Sequence, residues 1–350
     1  MADFKVGTVA RWQQLSPILA TFILTPQDGN RFPDYEAGQY IALRRERCRL
    51  TKEEVGPDGQ HRYVPDLDLS GNPKLGPVTH SYSIASAPFE SRQHGHLEFY
   101  IVLERASDGT PGRLSGNLFE TGRGADARVT YVNRITGNFT LAKMAKGFRN
   151  VVLVGTGTGL APFVSMIKQL HFDATEGRGL DGVRYTLVHT NRTYEELAYH
   201  QELLAIDAAD RFDFVYIVSV SRPTARDVND PGIGRGRANN VLRHMFGMPL
   251  KEEETLRATL ARGEDASRAK AALEKATAPV LPRHISTSDL QQRLAPSETV
   301  ILTCGNPSSM DDIKHVADAH HIKFDKEDWC PSGALPHPSA GAASTTVRRS

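Results

Sequence analysis

Cysteine is scarce in this chain, and long hydrophobic segments are missing from it. Its 350 residues include three cysteines, Cys48, Cys304 and Cys330. Three scattered thiols are too few for a disulfide-bonded scaffold or for an iron–sulfur cluster held by the protein. No apolar run is long enough to cross a bilayer, and residues 1–5 lack the apolar core of a signal peptide. We therefore expect a protein of the reduced, cytoplasmic compartment.

The chain also lacks an excess of charge of either sign. Its formal net charge is +1 at pH 7. Binding to nucleic acid or to a membrane surface usually shows as a large basic excess, so a near-neutral chain gives no sign of either. We expect no nucleic acid, no membrane insertion and no metal ion, and any charged surface for a partner must be local.

What the sequence does contain is a glycine-rich segment between two apolar ones. Residues 150–154 are typical of a buried parallel strand, and residues 163–170 have the apolar spacing of a helix. Glycines let backbone approach a diphosphate closely, and the start of the next helix offers unpaired N–H groups. A tight turn without a ligand would also use glycines, but the flanking strand and helix favour nucleotide binding. The segment reads Gly155-Thr156-Gly157-Thr158-Gly159-Leu160-Ala161-Pro162.

Two patterns of secondary structure divide the chain. Residues 1–145 contain short β-rich runs separated by turn residues, which predicts a small antiparallel barrel. Residues 146–330 alternate strand-like and helical segments, including helices over 194–206 and 311–319, which predicts a doubly wound parallel sheet. The expected fold class is therefore β followed by α/β. Residues 331–350 are rich in Ala, Ser, Pro and Gly, so we expect a disordered tail.

Two segments are longer than this architecture needs. Residues 44–79 are polar and contain proline and glycine, which predicts either an added hairpin or a lid. Residues 250–280 are charged and alanine-rich, which predicts an inserted helical excursion. A solvated helix pair without a function is the simpler interpretation of the second segment.

Two further motifs flank the glycine-rich segment. His80-Ser81-Tyr82-Ser83 precedes it, and Cys304-Gly305-Asn306-Pro307 follows the apolar run 299–303. This order resembles the ferredoxin–NADP⁺ reductase superfamily, where Arg-x-Tyr-Ser is followed by Gly-Thr-Gly-x-Ala-Pro and then Cys-Gly-x-Pro. The resemblance covers about residues 5–329 and is strongest to the bacterial ferredoxin (flavodoxin) reductases. It implies an antiparallel FAD-binding β-barrel followed by a doubly wound parallel-sheet NADP-binding domain.

The resemblance also implies where the flavin ring would bind. Tyr82 would lie against the ring or the ribityl chain, and the Ser83 hydroxyl would bond near the N5 atom. An ordinary barrel strand is the alternative for Tyr82 taken alone. Further residues expected against FAD are Ser81, Phe99, Tyr100, Ile101 and Val102, the last four through the backbone of a strand.

The diphosphate of FAD is expected at a second element of the family. That element corresponds here to Gly112, Leu114 and Ser115, whose backbone N–H groups and hydroxyl would meet the phosphates. The arginine of the first motif is replaced by His80, which is shorter and only partly charged near neutral pH. Part of the neutralising charge must therefore come from elsewhere.

Arginines at predicted strand ends indicate a nucleotide with a 2′-phosphate. Positions that bind this phosphate in the bacterial reductases correspond to Arg192, Arg222 and one of Arg235 and Arg237. A lone arginine is usually a solvated surface residue, but several at successive strand ends favour NADPH over NADH. Other residues expected against the nucleotide are Gly155, Thr156, Gly157, Thr158, Gly159, Gly305, Asn306 and Pro307.

Three residues are the catalytic candidates: Ser83, Cys304 and Glu327. By resemblance, Cys304 would lie beside nicotinamide C4, although a small buried hydrophobe at a strand end is an alternative reading. Glu327 would be a proton or hydrogen-bond partner near the flavin. Trp329 would stack on the flavin or on its adenine, with a packing role as the alternative.

The resemblance implies an NADPH-dependent flavoenzyme that exchanges single electrons with ferredoxin or flavodoxin, in either physiological direction. The alternatives are a stand-alone reductase component of an oxygenase and a regulatory subunit that binds flavin or nucleotide without turnover. Local basic charge suggests that the partner is a small acidic carrier, although these residues could equally be solvated or ion-paired. They are Arg44, Arg45, Arg47, Arg49, Lys52, Arg105, Arg113, Arg123, Arg128 and Arg134.

Overall fold

The computed structural model describes residues 3–56, 59, 61–106, 109–122, 124, 126–179 and 182–327. Within them the chain forms one six-stranded antiparallel sheet, one six-stranded parallel sheet and a two-stranded hairpin. The β followed by α/β fold expected from the sequence is confirmed. The predicted boundary at residue 145 falls between the last strand of the first sheet and the first strand of the second.

The antiparallel sheet is curved around an apolar core made of Phe, Leu, Ile and Tyr side chains. Its strands follow one another in the order β6-β3-β8-β1-β2-β7, and α1 and α2 connect or cover them. Alternation of buried and exposed residues along β3 shows one face on the core and the other in solvent. The elements of this part are β1 Phe4–Ser16, β2 Leu19–Pro26, β3 Tyr40–Arg49, β4 Thr51–Val55, β5 His61–Pro65, β6 Leu75–Ser83, α1 Pro88–His94, β7 Leu97–Val102, α2 Arg113–Thr121 and β8 Arg128–Thr136.

The predicted insertion at residues 44–79 contains a hairpin. β4 and β5 pair antiparallel from Thr51 with Pro65 to Val55 with His61. The inserted part is shorter than expected, because residues 44–49 and 75–79 continue the barrel strands β3 and β6. The segment therefore contains a hairpin, with barrel strands at both of its ends.

The parallel sheet has helices on both faces. Its strands follow the order β12-β11-β10-β9-β13-β14. The residues of β9, β10 and β13 are almost all buried because both faces of the sheet are covered there. The elements are α3 Leu141–Met144, β9 Asn150–Thr156, α4 Ala161–Thr175, β10 Arg184–Asn191, α5 His200–Ala208, β11 Phe214–Val220, α6 Ala225–Asn229, β12 Gly234–Arg235, α7 Ala238–Met245, α8 Lys251–Ala261, α9 Ser267–Glu274, α10 Thr287–Gln292, β13 Thr299–Cys304, α11 Pro307–Ala319 and β14 Lys323–Lys326.

The strand order reverses between β9 and β13, which are neighbours in the sheet although far apart in sequence. In open parallel sheets, such a reversal opens a crevice at the carboxyl ends of the strands, where ligands bind. The glycine-rich segment follows β9, and Cys304 ends β13. Two of the sequence motifs therefore meet at this crevice.

Two helix predictions can be compared with the structure. The excursion at residues 250–280 is helical, as expected, and consists of α8 and α9. The helix expected from residue 194 instead begins at His200, because Tyr199 adopts a left-handed φ of 60° that interrupts helical backbone. Residues 194–196 form a short 3₁₀ turn.

A buried ion cluster joins the antiparallel part of the structure to the parallel part. Lys168 of α4 is 6% exposed, and its Nζ lies 2.6 Å from Glu90 Oε1 and 3.3 Å from Glu202 Oε1. Glu98 of β7 is 4.0 Å away. Burial raises the pKa of Glu98 to about 7. Since α1 and β7 belong to the antiparallel part and α4 and α5 to the parallel part, this lysine links the two.

Candidate active site where the two sheets meet

The three catalytic candidates converge on one carboxylate. Ser83 ends β6, Cys304 ends β13, and Glu327 directly follows β14. The Ser83 hydroxyl donates to Glu327 Oε2 at 3.2 Å, and the Cys304 thiol donates to the same oxygen at 3.5 Å. The backbone N–H of Glu327 donates to the Thr303 carbonyl at 3.0 Å and continues the ladder between β13 and β14. Side chains from three distant segments thus share one site.

The Glu327 carboxyl group is largely enclosed. Burial raises its pKa to about 7, and hydrogen bonds from Ser83 and Cys304 act in the opposite direction because they stabilise the ionised form. A carboxyl group that titrates near neutral pH can take up and release a proton under ordinary conditions. This is the property required of a proton partner.

The glycines of the predicted phosphate loop serve two different purposes. A side chain on Gly159 would collide with the Cys304 carbonyl, and one on Gly305, at φ +133°, would collide with Thr156. These two glycines allow the loops after β9 and β13 to pack together, and the Asn306 N–H donates to Thr156 Oγ1 at 2.9 Å. Gly157, at φ +56°, would meet nothing within 4 Å. Gly157 is therefore the position where the loop presents open backbone.

The candidate residues on the barrel side differ in how they could reach a ligand. Phe99, Tyr100 and Ile101 are 0%, 3% and 1% exposed, so their side chains lie in the core. β7 is the last strand in the sheet order, which leaves one side of its backbone outside the ladder. Contact through the backbone of Phe99–Val102, as the sequence suggested, agrees with this geometry. Tyr82 packs partly against the barrel core.

The second flavin element forms the start of helix α2. Gly112 precedes the first helical residue, and its N–H donates to the Glu104 carbonyl at 2.9 Å. Leu114 is fully buried, so only its backbone could meet a ligand. Ser115 is 3% exposed, and its hydroxyl accepts from the Glu104 N–H at 3.3 Å. The first turn carries no acidic residue and no side-chain cap, which leaves its N–H groups available to an anion.

The predicted phosphate-binding arginines lie at neighbouring strand ends. The Arg222 N–H donates to the Arg192 carbonyl at 2.8 Å, which joins the turns after β10 and β11. Arg235 lies in β12 and pairs in register with Val220. Arg237 is exposed and lies 3.6 Å from Glu252 of the inserted helix α8. The structure therefore brings all four positions to one edge of the sheet.

Sequence reasoning missed the residues that hold Arg192. Its guanidinium forms a two-pronged ion pair with the buried carboxylate of Glu196, with Nε donating to Oε2 at 2.8 Å. Asn191 Nδ2 donates to the Tyr100 hydroxyl at 2.7 Å, and that hydroxyl donates to the Glu196 carbonyl at 2.9 Å. The available signal was the acidic residue four positions after the arginine. Through these bonds β7 of the barrel is tied to the arginine site.

The basic residues predicted as a docking surface do not act as one set. Arg45 is 9% exposed and donates to Asn117 and to backbone carbonyls, so it is a structural residue. Arg44 is paired with Glu46, and Lys52 with Glu54. Arg128 is likewise paired with Asp126. Arg47, Arg49, Arg105 and Arg134 are exposed.

Three predicted features lie outside the described residues. Trp329 and Arg123 lie outside them, as does the tail predicted at 331–350. Within the described part, no group of three or more His, Cys, Asp or Glu side chains could hold a metal ion. In the same part, no helix combines the length and the apolar character needed to span a membrane.

Parts of the chain are similar in sequence to known proteins. The family described as "Oxidoreductase NAD-binding domain" matches residues 153–258. A flavohemoprotein of Bordetella pertussis is 31% identical over 205 residues, which are 59% of this chain and 41% of the relative. Ferredoxin–NADP reductase A of Sorangium cellulosum is 33% identical over 135 residues, which are 38% of this chain and 42% of the relative. The chain thus spans well under two thirds of these curated relatives.

Solved structures show the same architecture over almost the whole chain. A ferredoxin–NADP⁺ reductase from Neisseria gonorrhoeae, solved with bound FAD and NADP, superposes with a TM-score of 0.52 at 17% identity, covering 93% of this chain and 99% of that one. The flavohem-like FAD/NAD-binding domain of a Vibrio cholerae nitric oxide dioxygenase gives 0.54 at 18% identity with the same coverage. At these identities the superpositions show a shared fold, an antiparallel sheet followed by a parallel one. The chain shares its fold with these structures, and its residues 153–258 match the NAD-binding domain family.

The arginine site generates a prediction about nucleotide preference. Arg222 is exposed and, among the described residues, its side chain makes no hydrogen bond or ion pair, so its removal leaves no buried charge behind. We expect Arg222→Ala to raise the KM for NADPH by about tenfold to a hundredfold, the equivalent of one lost charge-assisted phosphate contact. The KM for NADH should change little. Arg268→Ala, an exposed arginine on α9, is the matched control. Equal losses for both nucleotides would contradict the assignment.

The Glu327 carboxyl group generates a prediction about pH. Since its pKa is about 7, the group is protonated below pH 7 and ionised above it. Only the protonated form can donate a proton, and the ionised form would repel added negative charge. We expect turnover with NADPH to fall as pH rises through 7, and the profile of Glu327→Gln to be flat there. Asp325→Asn, on the same strand, should keep the wild-type profile. A transition near pH 7 that persists in Glu327→Gln would disprove this role.

Proposed function

We propose that this chain is a flavoprotein oxidoreductase that passes hydride between NADPH and FAD and single electrons between FAD and ferredoxin or flavodoxin. The observation that carries the proposal is the meeting of Ser83, Cys304 and Glu327 at the crevice between β9 and β13. The Ser83 hydroxyl and the Cys304 thiol come from different sheets, and both donate to one oxygen of a largely buried carboxyl group. A redox site between the two sheets accounts for their arrangement.

The residues present fit FAD. The uncapped, acid-free start of α2 suits a diphosphate, and the edge of β7 offers backbone to the adenosine half. Tyr82 and Ser83 lie at the end of β6, next to the crevice. When bound there, FAD would supply two-electron exchange with a nicotinamide and one-electron exchange with a protein carrier. The known structure of the Neisseria gonorrhoeae relative was solved with FAD and NADP.

Four residues of the chain would each have a separate role in binding or proton transfer. Ser83 would orient the reactive edge of the flavin through its hydroxyl, and Cys304 would shape the pocket for the nicotinamide. Glu327 would hold or release a proton at its Oε2 atom, where both neighbours donate. Gly157 would let the nucleotide diphosphate approach the loop after β9.

NADPH is the proposed nucleotide. Arg192, Arg222 and either Arg235 or Arg237 would bind its 2′-phosphate at the carboxyl edge of the parallel sheet. Glu196 already orients the Arg192 guanidinium through two hydrogen bonds. A preorganised guanidinium loses less side-chain entropy when it binds phosphate. The ion pair therefore agrees with a binding role.

Two kinds of electron acceptor are candidates for this protein. Relatives include both a ferredoxin–NADP reductase and flavohemoproteins, and this chain spans about two fifths of each. The second candidate is therefore a reductase that serves a haem protein or an oxygenase. Of the basic residues on β3, Arg47 and Arg49 remain exposed beside the barrel and could receive an acidic carrier. We propose a cytoplasmic location, where such carriers and NADPH occur together.

Electron transfer from the NADPH-reduced protein to different acceptors tests this function. We expect ferredoxin or flavodoxin to be reduced at a second-order rate that falls steeply with ionic strength. The double variant Arg47→Glu with Arg49→Glu should slow that step and leave reduction by NADPH unchanged, whereas Arg268→Glu should affect neither. A flat salt dependence would remove the docking claim. Reduction of a haem acceptor but of neither carrier would favour the second candidate.

A further inference from the structure

The inserted helix α8 begins beside one of the arginines at the edge of the parallel sheet. Its second residue, Glu252, is 9% exposed, and Oε1 of that side chain lies 3.6 Å from Arg237 Nη1. Its first residue, Lys251, donates its backbone N–H to Asn240 Oδ1 of α7 at 3.0 Å. Helix α8 is therefore joined to the segment that directly follows Arg237.

The amide group of Asn240 holds the Glu252 carboxylate in place. Asn240 is 1% exposed, and its Nδ2 donates to Glu252 Oε2 at 2.8 Å. The Oδ1 atom of the same amide accepts the Lys251 N–H, so both ends of the amide are used. One oxygen of the carboxylate is thus bound to Asn240, and the other lies next to the Arg237 guanidinium. A carboxylate held in this way cannot turn aside when an anion approaches.

The other two carboxylates of α8 contact different groups. Glu253 Oε2 accepts the Leu250 N–H at 3.2 Å and closes the first turn of the helix. Glu254 Oε2 accepts from the buried guanidinium of Arg243 at 2.9 Å. Within the described residues, Glu252 is therefore the carboxylate that α8 brings to the arginine site.

Arg235 has different surroundings from Arg237. It lies in β12 in register with Val220, and Arg222 follows Val220 by two residues. On its other side, its backbone N–H donates to the Val280 carbonyl at 2.8 Å. Arg235 is half-buried, and in the part of the chain that the structure describes its side chain has no hydrogen bond or ion pair. A guanidinium without a competing carboxylate can give all of its donors to a phosphate.

A carboxylate beside a cation weakens the binding of a phosphate to that cation. An anion bound by Arg237 would have to share the guanidinium with Glu252. The two negative groups would also repel each other at short range. NADPH carries a 2′-phosphate that NADH lacks, so this repulsion lowers the affinity for NADPH alone.

We propose that Glu252 is a specificity-determining residue that withdraws Arg237 from the 2′-phosphate and limits the preference for NADPH over NADH. Arg235 is then the arginine that completes the phosphate site with Arg192 and Arg222. Helix α8 acts on nucleotide choice through this one carboxylate. The inference rests on the proposed function, because it assumes that the 2′-phosphate binds at these arginines.

Calorimetric titration with 2′,5′-ADP and 5′-AMP tests the role of Glu252 without turnover. The two ligands differ only in the 2′-phosphate. In Glu252→Gln, which keeps an oxygen for the Asn240 amide, we expect the dissociation constant for 2′,5′-ADP to fall about threefold to tenfold. The dissociation constant for 5′-AMP should not change. Glu274→Gln removes an exposed carboxylate from the neighbouring helix α9 and, as the matched control, should alter neither value.

The arginine variants test which guanidinium binds the phosphate. Arg237→Ala should raise the dissociation constant for 2′,5′-ADP less than about twofold in the wild-type background, because Glu252 already occupies that cation. In the Glu252→Gln background the same change should raise it about threefold to tenfold. Arg235→Ala should raise it about tenfold to a hundredfold in both backgrounds, the equivalent of one charge-assisted contact.

Three results would overturn the inference. They are an unchanged affinity for 2′,5′-ADP in Glu252→Gln, an equal gain for 5′-AMP, and a loss in Arg237→Ala as large as that in Arg235→Ala. In each of them the wild-type protein still binds 2′,5′-ADP more tightly than 5′-AMP, and Arg222→Ala still loses that difference, so the proposed function stands. A wild-type protein that binds both ligands equally would overturn the proposed NADPH preference together with this inference.

Discussion

The site depends on one contact, the approach of Ser83 and Cys304 to the carboxylate of Glu327. Ser83 belongs to the antiparallel sheet, whereas Cys304 and Glu327 belong to the parallel sheet, so the contact exists only if the two sheets are packed in one relative position. The buried ions around Lys168 and the bonds between Tyr100, Asn191 and Glu196 fix that position from other sides. A buried charge stripped of its partner is strongly unfavourable, so these contacts resist separation of the two parts.

Much of the fold could be predicted because its signals are local. The apolar run at β9, the glycine-rich turn and the helix after it define a parallel-sheet unit within some twenty-five residues. The start of α5 could not be predicted, because it depends on the left-handed backbone of Tyr199, a residue type that rarely adopts it. The extent of the insertion at 44–79 was also missed, since the long strands β3 and β6 continue into polar sequence.

The sequence could supply candidate residues for the site, but it could not supply the contacts between them. Motif order identified Ser83, Cys304 and Glu327 as candidates, while only the fold shows that they share one oxygen atom. The burial and the ion pairs of the charged side chains could not be predicted from the sequence. Arg45 looks like a surface residue in the sequence, yet it is buried and bonded to backbone. The carboxylates that pair with Arg192 and Arg237 are recognisable only once the helices have been placed.

We propose that a redox flavin binds where the two sheets meet, within reach of a nicotinamide. The most direct test is the visible spectrum of the purified protein, recorded without oxygen before and after addition of NADPH. We expect a yellow protein whose absorbance near 450 nm is lost on NADPH addition, and whose heat-released pigment is FAD. A folded protein that stays colourless after incubation with FAD, or whose bound flavin is not bleached by NADPH, would contradict it.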